Sequence, residues 1–213
     1  TGDITLGNTL RSENDALHRN GGALINVAGN TTLTGDLTKF GGRVNVHGGT
    51  LVIDTNTYTD ASDYPTIGVA KPRQYMFVDG GTLVLNGEAG FRWEEREGDA
   101  IPSSRTAWAT ASGSGVLAGT GTVGDTRIHD GGTLSPGHDS IGTFNVDGDL
   151  YFNAGGVGRE HVDTKSWLAV DLRADGEADK VKVSGAAFIG HGASTEGEQG
   201  DTGVRVNTLD PHT

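Results

Sequence analysis

The feature that most constrains this chain is a glycine pair followed by one residue and an apolar one, which recurs along it. It stands at Gly21-Gly22-Ala23-Leu24, Gly41-Gly42-Arg43-Val44, Gly48-Gly49-Thr50-Leu51, Gly80-Gly81-Thr82-Leu83 and Gly131-Gly132-Thr133-Leu134. Period-two alternation follows each pair, as in Leu51-Val52-Ile53-Asp54 and Leu83-Val84-Leu85-Asn86. A glycine pair ahead of such alternation predicts a tight turn feeding a short strand. Strands without the pair are expected around Ile4 and Leu6, Phe144 and Val146, Leu150 and Phe152, Leu168 to Leu172, and Val181 and Val183. No window of a dozen residues keeps helical spacing free of Gly, Thr and Asp, so Ser12 to Arg19 is the best helical candidate, one or two turns at most.

Sandwiches and barrels also consist of many short strands, but their strand and loop units are not self-similar. A self-similar unit of roughly 20 residues is what a right-handed parallel β-helix needs. Its interior is narrow, which accounts for a chain in which 36 of 213 residues are Gly and the large apolar residues are few. At an inter-strand spacing of about 4.8 Å, the coils predict a rod on the order of 40 Å long. The expected fold class is therefore all-β, a right-handed parallel β-helix (solenoid) with a C-terminal capping segment. Residues 1–110 are read as coils with loop insertions near 55–74 and 91–112, and residues 111–213 as the C-terminal region. Trp167, beside the alternating Leu168 to Leu172, is expected at the rod's open end, where a last coil would expose apolar ladders.

The formal charge of −12 argues against nucleic acid or an anionic membrane as partner. The absence of cysteine removes disulfides and thiolate metal sites. Neither an apolar run of membrane-spanning length nor a signal sequence is present, and a chain that opens on Thr1 reads as part of something longer.

The run Gly115-Val116-Leu117-Ala118-Gly119-Thr120-Gly121-Thr122-Val123, followed by Gly131-Gly132-Thr133-Leu134-Ser135-Pro136-Gly137-His138-Asp139-Ser140-Ile141-Gly142-Thr143-Phe144, carries a family pattern. With the strand Phe144 to Phe152, Trp167 to Leu172 and Asp179 to Ala186, it closely resembles the C-terminal passenger region of classical (type V) autotransporters. Leu33 to Gly42, Asn56-Thr57-Tyr58-Thr59 and Gly80 to Leu85 are similar to the family's passenger-associated repeat, interrupted here by the 55–74 segment. The resemblance implies a passenger fragment, exported through the periplasm and carried to the Gram-negative outer membrane by the parent protein's own C-terminal β-barrel translocator, which these residues do not include. It implies that residues from about 110 onward are the junction, or autochaperone, region that helps the passenger fold during secretion. It also marks Gly119, Gly121, Gly131, Gly132, Gly137 and Gly142 as the glycines of the junction signature that matter most, the other glycines reading as ordinary turns. The lack of cysteine agrees with passage through the pore unfolded.

No catalytic, cofactor or metal residue is assigned. Ser135 and His138 flank a Pro-Gly turn without a nucleophile elbow, and read as a corner in which Pro136 fixes φ and Gly137 supplies positive φ. Glu94, Glu95 and Glu97 beside Trp93, downstream of Asp79, form the best enzymatic constellation, since carboxylates and aromatic platforms serve glycoside chemistry. Adjacent glutamates more often form a solvated loop. The pairs Asp79-Gly80, Asp130-Gly131 and Asp147-Gly148 lack a calcium-repeat spacing and read as turns, and the seven His are scattered.

The expectation is thus a non-enzymatic, cell-surface stalk or adhesin scaffold without cofactor, its partners a host matrix protein, host cell surface or glycan. The alternatives are a β-helix carbohydrate-active enzyme, which would need a carboxylate pair about 5–9 Å apart in one cleft, and the stem of a protease-type passenger, which would need a protease domain upstream.

Overall fold

The computed structural model describes residues 4–6, 23–35, 43–60, 74–92, 107–152, 165–189 and 202–209. These are all-β, with no helix among the described residues. In chain order the strands are β1 (Ile4–Leu6), β2 (Ala23–Asn26), β3 (Asn30–Leu33), β4 (Arg43–Val46), β5 (Thr50–Ile53) and β6 (Thr57–Asp60). There follow β7 (Gln74–Val78), β8 (Thr82–Leu85), β9 (Ala89–Arg92), β10 (Ala107–Ala111), β11 (Val116–Gly119), β12 (Thr122–Val123) and β13 (Thr126–Ile128). The last are β14 (Thr133–Pro136), β15 (Thr143–Val146), β16 (Leu150–Phe152), β17 (Ser166–Arg173), β18 (Lys180–Val183), β19 (Ala187–Ile189) and β20 (Thr202–Leu209).

Every pairing between these strands is parallel, and the order is regular. Sheet A runs β1-β3-β5-β8-β11-β14-β17-β20 and sheet B runs β2-β4-β7-β10-β13-β16-β19. The third set is β6-β9 and β12-β15-β18, linked by a parallel bridge between Glu88 and Thr122. From β4 to β19 the chain visits sheet B, sheet A and the third set in unchanged rotation. Parallel strands visited in this order are compatible with a β-helix or solenoid.

Alternation sends one side chain in two inward, and parallel register stacks them. On sheet A, Leu51, Leu83, Leu117, Leu134 and Leu168 are consecutive partners, beside Leu33, Ile53 and Leu85. On sheet B, Val44, Met76 and Ala109 stack beside Val46, Val78, Ala111, Ile128 and Phe152. Phe144, Val123 and Val146 close the core from the third set. One or two apolar side chains per strand fill it, which is how so glycine-rich a chain can bury a core.

The pairs Gly48-Gly49, Gly80-Gly81 and Gly131-Gly132 occupy the corner between sheets B and A, and Gly21-Gly22 and Gly41-Gly42 lie outside the described residues. Gly49 and Gly81 have φ of 68° and 79°, and a Cβ at Gly81 would fall on the backbone of Gly48 and Gly49 one turn below. Backbone carbonyls at this corner continue the sheet: Gly29 O accepts from Thr50 N at 2.9 Å and Gly49 O from Thr82 N at 2.8 Å. Side chains staple other corners. Asp125 Oδ1 accepts from Asp149 N at 2.9 Å, and Asp149 Oδ1 from Ala186 N at 2.8 Å. The turn after β14 has three successive left-handed residues, Gly137, His138 and Asp139, at φ of 89°, 72° and 62°.

Three expectations change. First, β6 and β7 take residues 57–60 and 74 from the segment read as a loop over 55–74, and β9 and β10 take 91–92 and 107–111 from that over 91–112; residues 61–73 and 93–106, and Ser12 to Arg19, lie outside the described residues. Second, tight glycines are not confined to the junction signature: a Cβ at Gly48, Gly80, Gly87 or Gly115 would also strike a neighbouring backbone. Third, Trp167 lies on the outward face of β17, paired with Gly203, under the Arg205 guanidinium at 3.8 Å from its ring centroid. The inward residue beside it, Leu168, is the one packed on the core.

Candidate functional site

Sheet B buries one set of side chains and presents the other. On β7, Met76 and Val78 are buried, so Tyr75 and Phe77 face outward; on β10, Ala109 and Ala111 are buried, so Trp108 and Thr110 do. Arg127 stands out between buried Thr126 and Ile128, and Tyr151 between buried Leu150 and Phe152. The register then aligns Asn45, Phe77, Thr110, Arg127, Tyr151 and Phe188 across six strands, with Arg43, Tyr75 and Trp108 in the adjoining row.

These side chains touch in sequence. Arg43 lies 6.0 Å from the Tyr75 ring centroid; Tyr75 stacks on Phe77 at 6.0 Å and meets Trp108 edge-on at 6.2 Å. The Arg127 guanidinium sits between two rings, 4.9 Å from Trp108 and 5.4 Å from Tyr151. Tyr151 stacks on Phe188 at 4.9 Å with an interplanar angle of 8°. The result is a continuous aromatic and arginine strip from β4 to β19, about 24 Å long at a strand spacing of about 4.8 Å. Phe77 is 39% exposed. It is thus a large apolar side chain left outside the core.

The strip is held in place by its edge. Tyr151 Oη donates to Asp149 Oδ2 at 2.9 Å. That hydrogen bond, with burial and the Asp149 charge, holds the phenol pKa above its ordinary value.

The residues singled out in the sequence lie elsewhere. Ser135 is on β14, aligned with Ala118, whereas His138 is in the following turn with Nε2 3.7 Å from Asp139 Oδ2. Asp79 faces His47, Nδ1 to Oδ1 2.7 Å; Asp130 faces His129 at 2.7 Å; and Asp147 accepts from Ser184 Oγ at 3.1 Å. Among the described residues no group of three or more His, Cys, Asp or Glu could hold a metal ion. Trp93, Glu94, Glu95 and Glu97 lie outside the described residues.

Sequence reasoning passes over Tyr75, Phe77, Trp108, Arg127, Tyr151 and Phe188. The signal is present as an aromatic or Arg alternating with inward residues, in Tyr75-Met76-Phe77-Val78, Trp108-Ala109, Thr126-Arg127-Ile128 and Leu150-Tyr151-Phe152. It becomes visible only when strands that insertions separate are set in register. Comparison of the chain with models of protein families, with curated proteins and with solved structures found no match.

Proposed function

We propose that this chain is a right-handed parallel β-helix serving as the surface-displayed stalk and adhesive scaffold of a Gram-negative autotransporter passenger. The observation that carries the reading is the unchanged rotation of the chain through sheets B, A and the third set, with inward ladders unbroken from β4 to β16. Such a solenoid keeps its stability in contacts between neighbouring coils, so it can fold progressively as it emerges from a pore. It also presents flat lateral faces along its length. The junction motifs of residues 115–186 support the assignment of residues from about 110 onward as the part that promotes folding, and β17–β20 as its C-terminal end segment. On this reading the chain is not an enzyme and needs no cofactor. It holds an adhesive face, or a more N-terminal domain, away from the outer membrane.

Fusion to a heterologous outer-membrane barrel translocator tests this. The chain is expected on the surface of a Gram-negative host, accessible to antibody and resistant to added protease. Leu134→Asp, which puts a charge into the junction ladder, is expected to reach the surface in a protease-sensitive form. A parent chain that stays in the periplasm, or a Leu134→Asp variant as resistant as the parent, would sink the proposal.

A further inference from the structure

We infer that the outward face of sheet B docks an extended acidic segment of a partner protein, whose carboxylates pair with Arg127 and Arg43 and whose apolar side chains cover Phe77 and Ile25. The inference rests on reading the chain as a solenoid with sheet B as its adhesive lateral face, and it names the chemistry of what that face holds. Charge, pattern and width carry it.

The charge of this face is opposite to that of the chain. Against a net −12, the seven strands of sheet B contain no Asp or Glu, and their charged residues are Arg43 and Arg127, both exposed. The ion pairs among the described residues are His47–Asp79, His129–Asp130, His138–Asp139 and Arg173–Glu177, so neither arginine has a carboxylate partner there. Asp149, at the edge of the strip, is engaged otherwise: Oδ2 accepts from Tyr151 Oη at 2.9 Å and Oδ1 from Ala186 N at 2.8 Å. Trp108 and Tyr151, at 4.9 and 5.4 Å, hold the Arg127 guanidinium in place before a ligand arrives. An arginine so placed and left without an acid offers a carboxylate two parallel N–H groups at reduced entropic cost.

The register sets Ile25, Asn45, Phe77, Thr110 and Arg127 in one row across β2, β4, β7, β10 and β13. Ile25 is 56% exposed and Phe77 39%. Apolar or cationic side chains thus recur at every second strand, about 9.6 Å apart, with a hydrogen-bonding side chain between them. An extended peptide advances about 3.3 Å per residue, so three residues span one such step. A segment of the form apolar-x-x-apolar-x-x-acidic would meet Ile25, Phe77 and Arg127 in turn, with its backbone over Asn45 and Thr110, and Arg43 in the adjoining row would take a second carboxylate.

At most two outward residues per strand make the face about 7 Å wide, too narrow for the roughly 800 Å² that a globular partner covers on each side. A uronate or sulfated glycan would fit the width, but it would bring a charge on sugar after sugar into the field of a −12 chain and leave Ile25 and Phe77 uncovered. A peptide with one or two carboxylates does neither.

The test selects a display library of random 12-residue peptides on the full chain. Enriched peptides are expected to carry Asp or Glu with Leu, Ile, Val or Phe three residues away, and a synthetic copy of one to bind in calorimetry, more weakly as salt is raised. Exchanging its acid for the amide, or altering the chain by Arg127→Lys or Phe77→Ser, is expected to weaken binding roughly tenfold or more, and Arg127→Glu to abolish it. Far-UV CD and melting establish that each variant is folded. Where one is not, hydroxyl-radical footprinting of the unaltered chain with and without the peptide is read instead, with protection expected at Ile25, Phe77 and Trp108. No enrichment, enriched peptides without an acid, binding unchanged in folded Arg127→Glu, or protection confined to other faces would each overturn the assignment. Tighter binding of heparin or polygalacturonate at the same residues would overturn it in favour of an acidic glycan, and dimers dispersed by Arg127→Glu in light scattering in favour of a second copy of the chain. A chain that binds acidic peptides through Arg127 but is not displayed on cells would remove the secretion reading alone. One that is displayed but binds none would remove this inference alone.

Discussion

Asp179 shows how much one side chain can organise in a thin fold. It is 8% exposed, and its two oxygens reach two different elements: Oδ1 accepts from Gly142 N at 2.8 Å and Oδ2 from Asp171 N at 2.9 Å. It therefore ties the turn after β14 to β17. An amide offers one acceptor where a carboxyl group offers two, so Asp179→Asn leaves one backbone N–H facing an amide N–H, at an expected cost of about 1–3 kcal/mol. Burial raises the carboxyl pKa, the N–H groups of Asp171 and Gly142 offset part of that, and the nearby Asp171 charge adds to it. The folded state thus holds this proton more tightly than the unfolded chain. Its contribution is complete below the unfolded value of about 3.9 and declines as pH rises through the folded pKa. Denaturant melts of the parent chain and of Asp179→Asn from pH 3 to 7 should show the stability gap between them widest in acid. A gap that widens toward neutrality would mean the carboxylate is the favoured form. At Gly81 the constraint is steric instead, and Gly81→Ala should cost at least about 1–2 kcal/mol from the left-handed backbone alone, read from the same melts.

Among elements, the contrast between β14 and β20 separates ladder positions that are closed from those that are open. Leu134 is fully buried between Leu117 and Leu168, so Leu134→Ala should cost about 2–5 kcal/mol. Val206 pairs with Val170 on β20 but is 58% exposed, so Val206→Lys should shift stability by no more than about 0.5 kcal/mol. Equal losses in chemical denaturation would contradict this difference. The strands themselves are legible in the sequence because the glycine pair and the alternation are both local: Gly80-Gly81 before Thr82-Leu83-Val84-Leu85 contains its own turn and its own inward face. Thr57–Asp60 is not legible, because Thr-Tyr-Thr-Asp carries no apolar alternation and is a strand only by pairing with β9. Trp167 is misplaced by sequence reasoning because an aromatic at the head of an apolar strand suggests a buried cap, whereas the parity of Leu168 puts Trp167 outside. The strip on sheet B is hidden for a related reason: Trp108 and Tyr151 become neighbours through Arg127 only after the strands are stacked.

At the scale of the whole molecule, stability should be graded along the stack rather than held in one centre. Each strand of sheets A and B pairs only with the strands before and after it in its sheet, so opening one end need not disrupt the other. At the C-terminal end the inward positions Ile189, Val204 and Val206 are 69%, 60% and 58% exposed, while near the other end Leu24 is only partly buried. Between them, Leu51, Ile53, Leu83, Leu85, Leu117 and Leu134 are fully buried. Native-state hydrogen exchange should therefore find the slowest amides on β5, β8, β11 and β14, and protection falling toward β20 on one side and β2 on the other. The long pairing of β17 with β20 contributes hydrogen bonds but little burial, so β20 should open well before global unfolding. Removing residues 202–213 should accordingly leave protection on β8 and β11 unchanged while exposing β17. If all strands instead exchange together at the global unfolding free energy, and the truncation lowers protection on β8 and β11 as much as on β17, the chain is a single cooperative unit and the graded account is wrong.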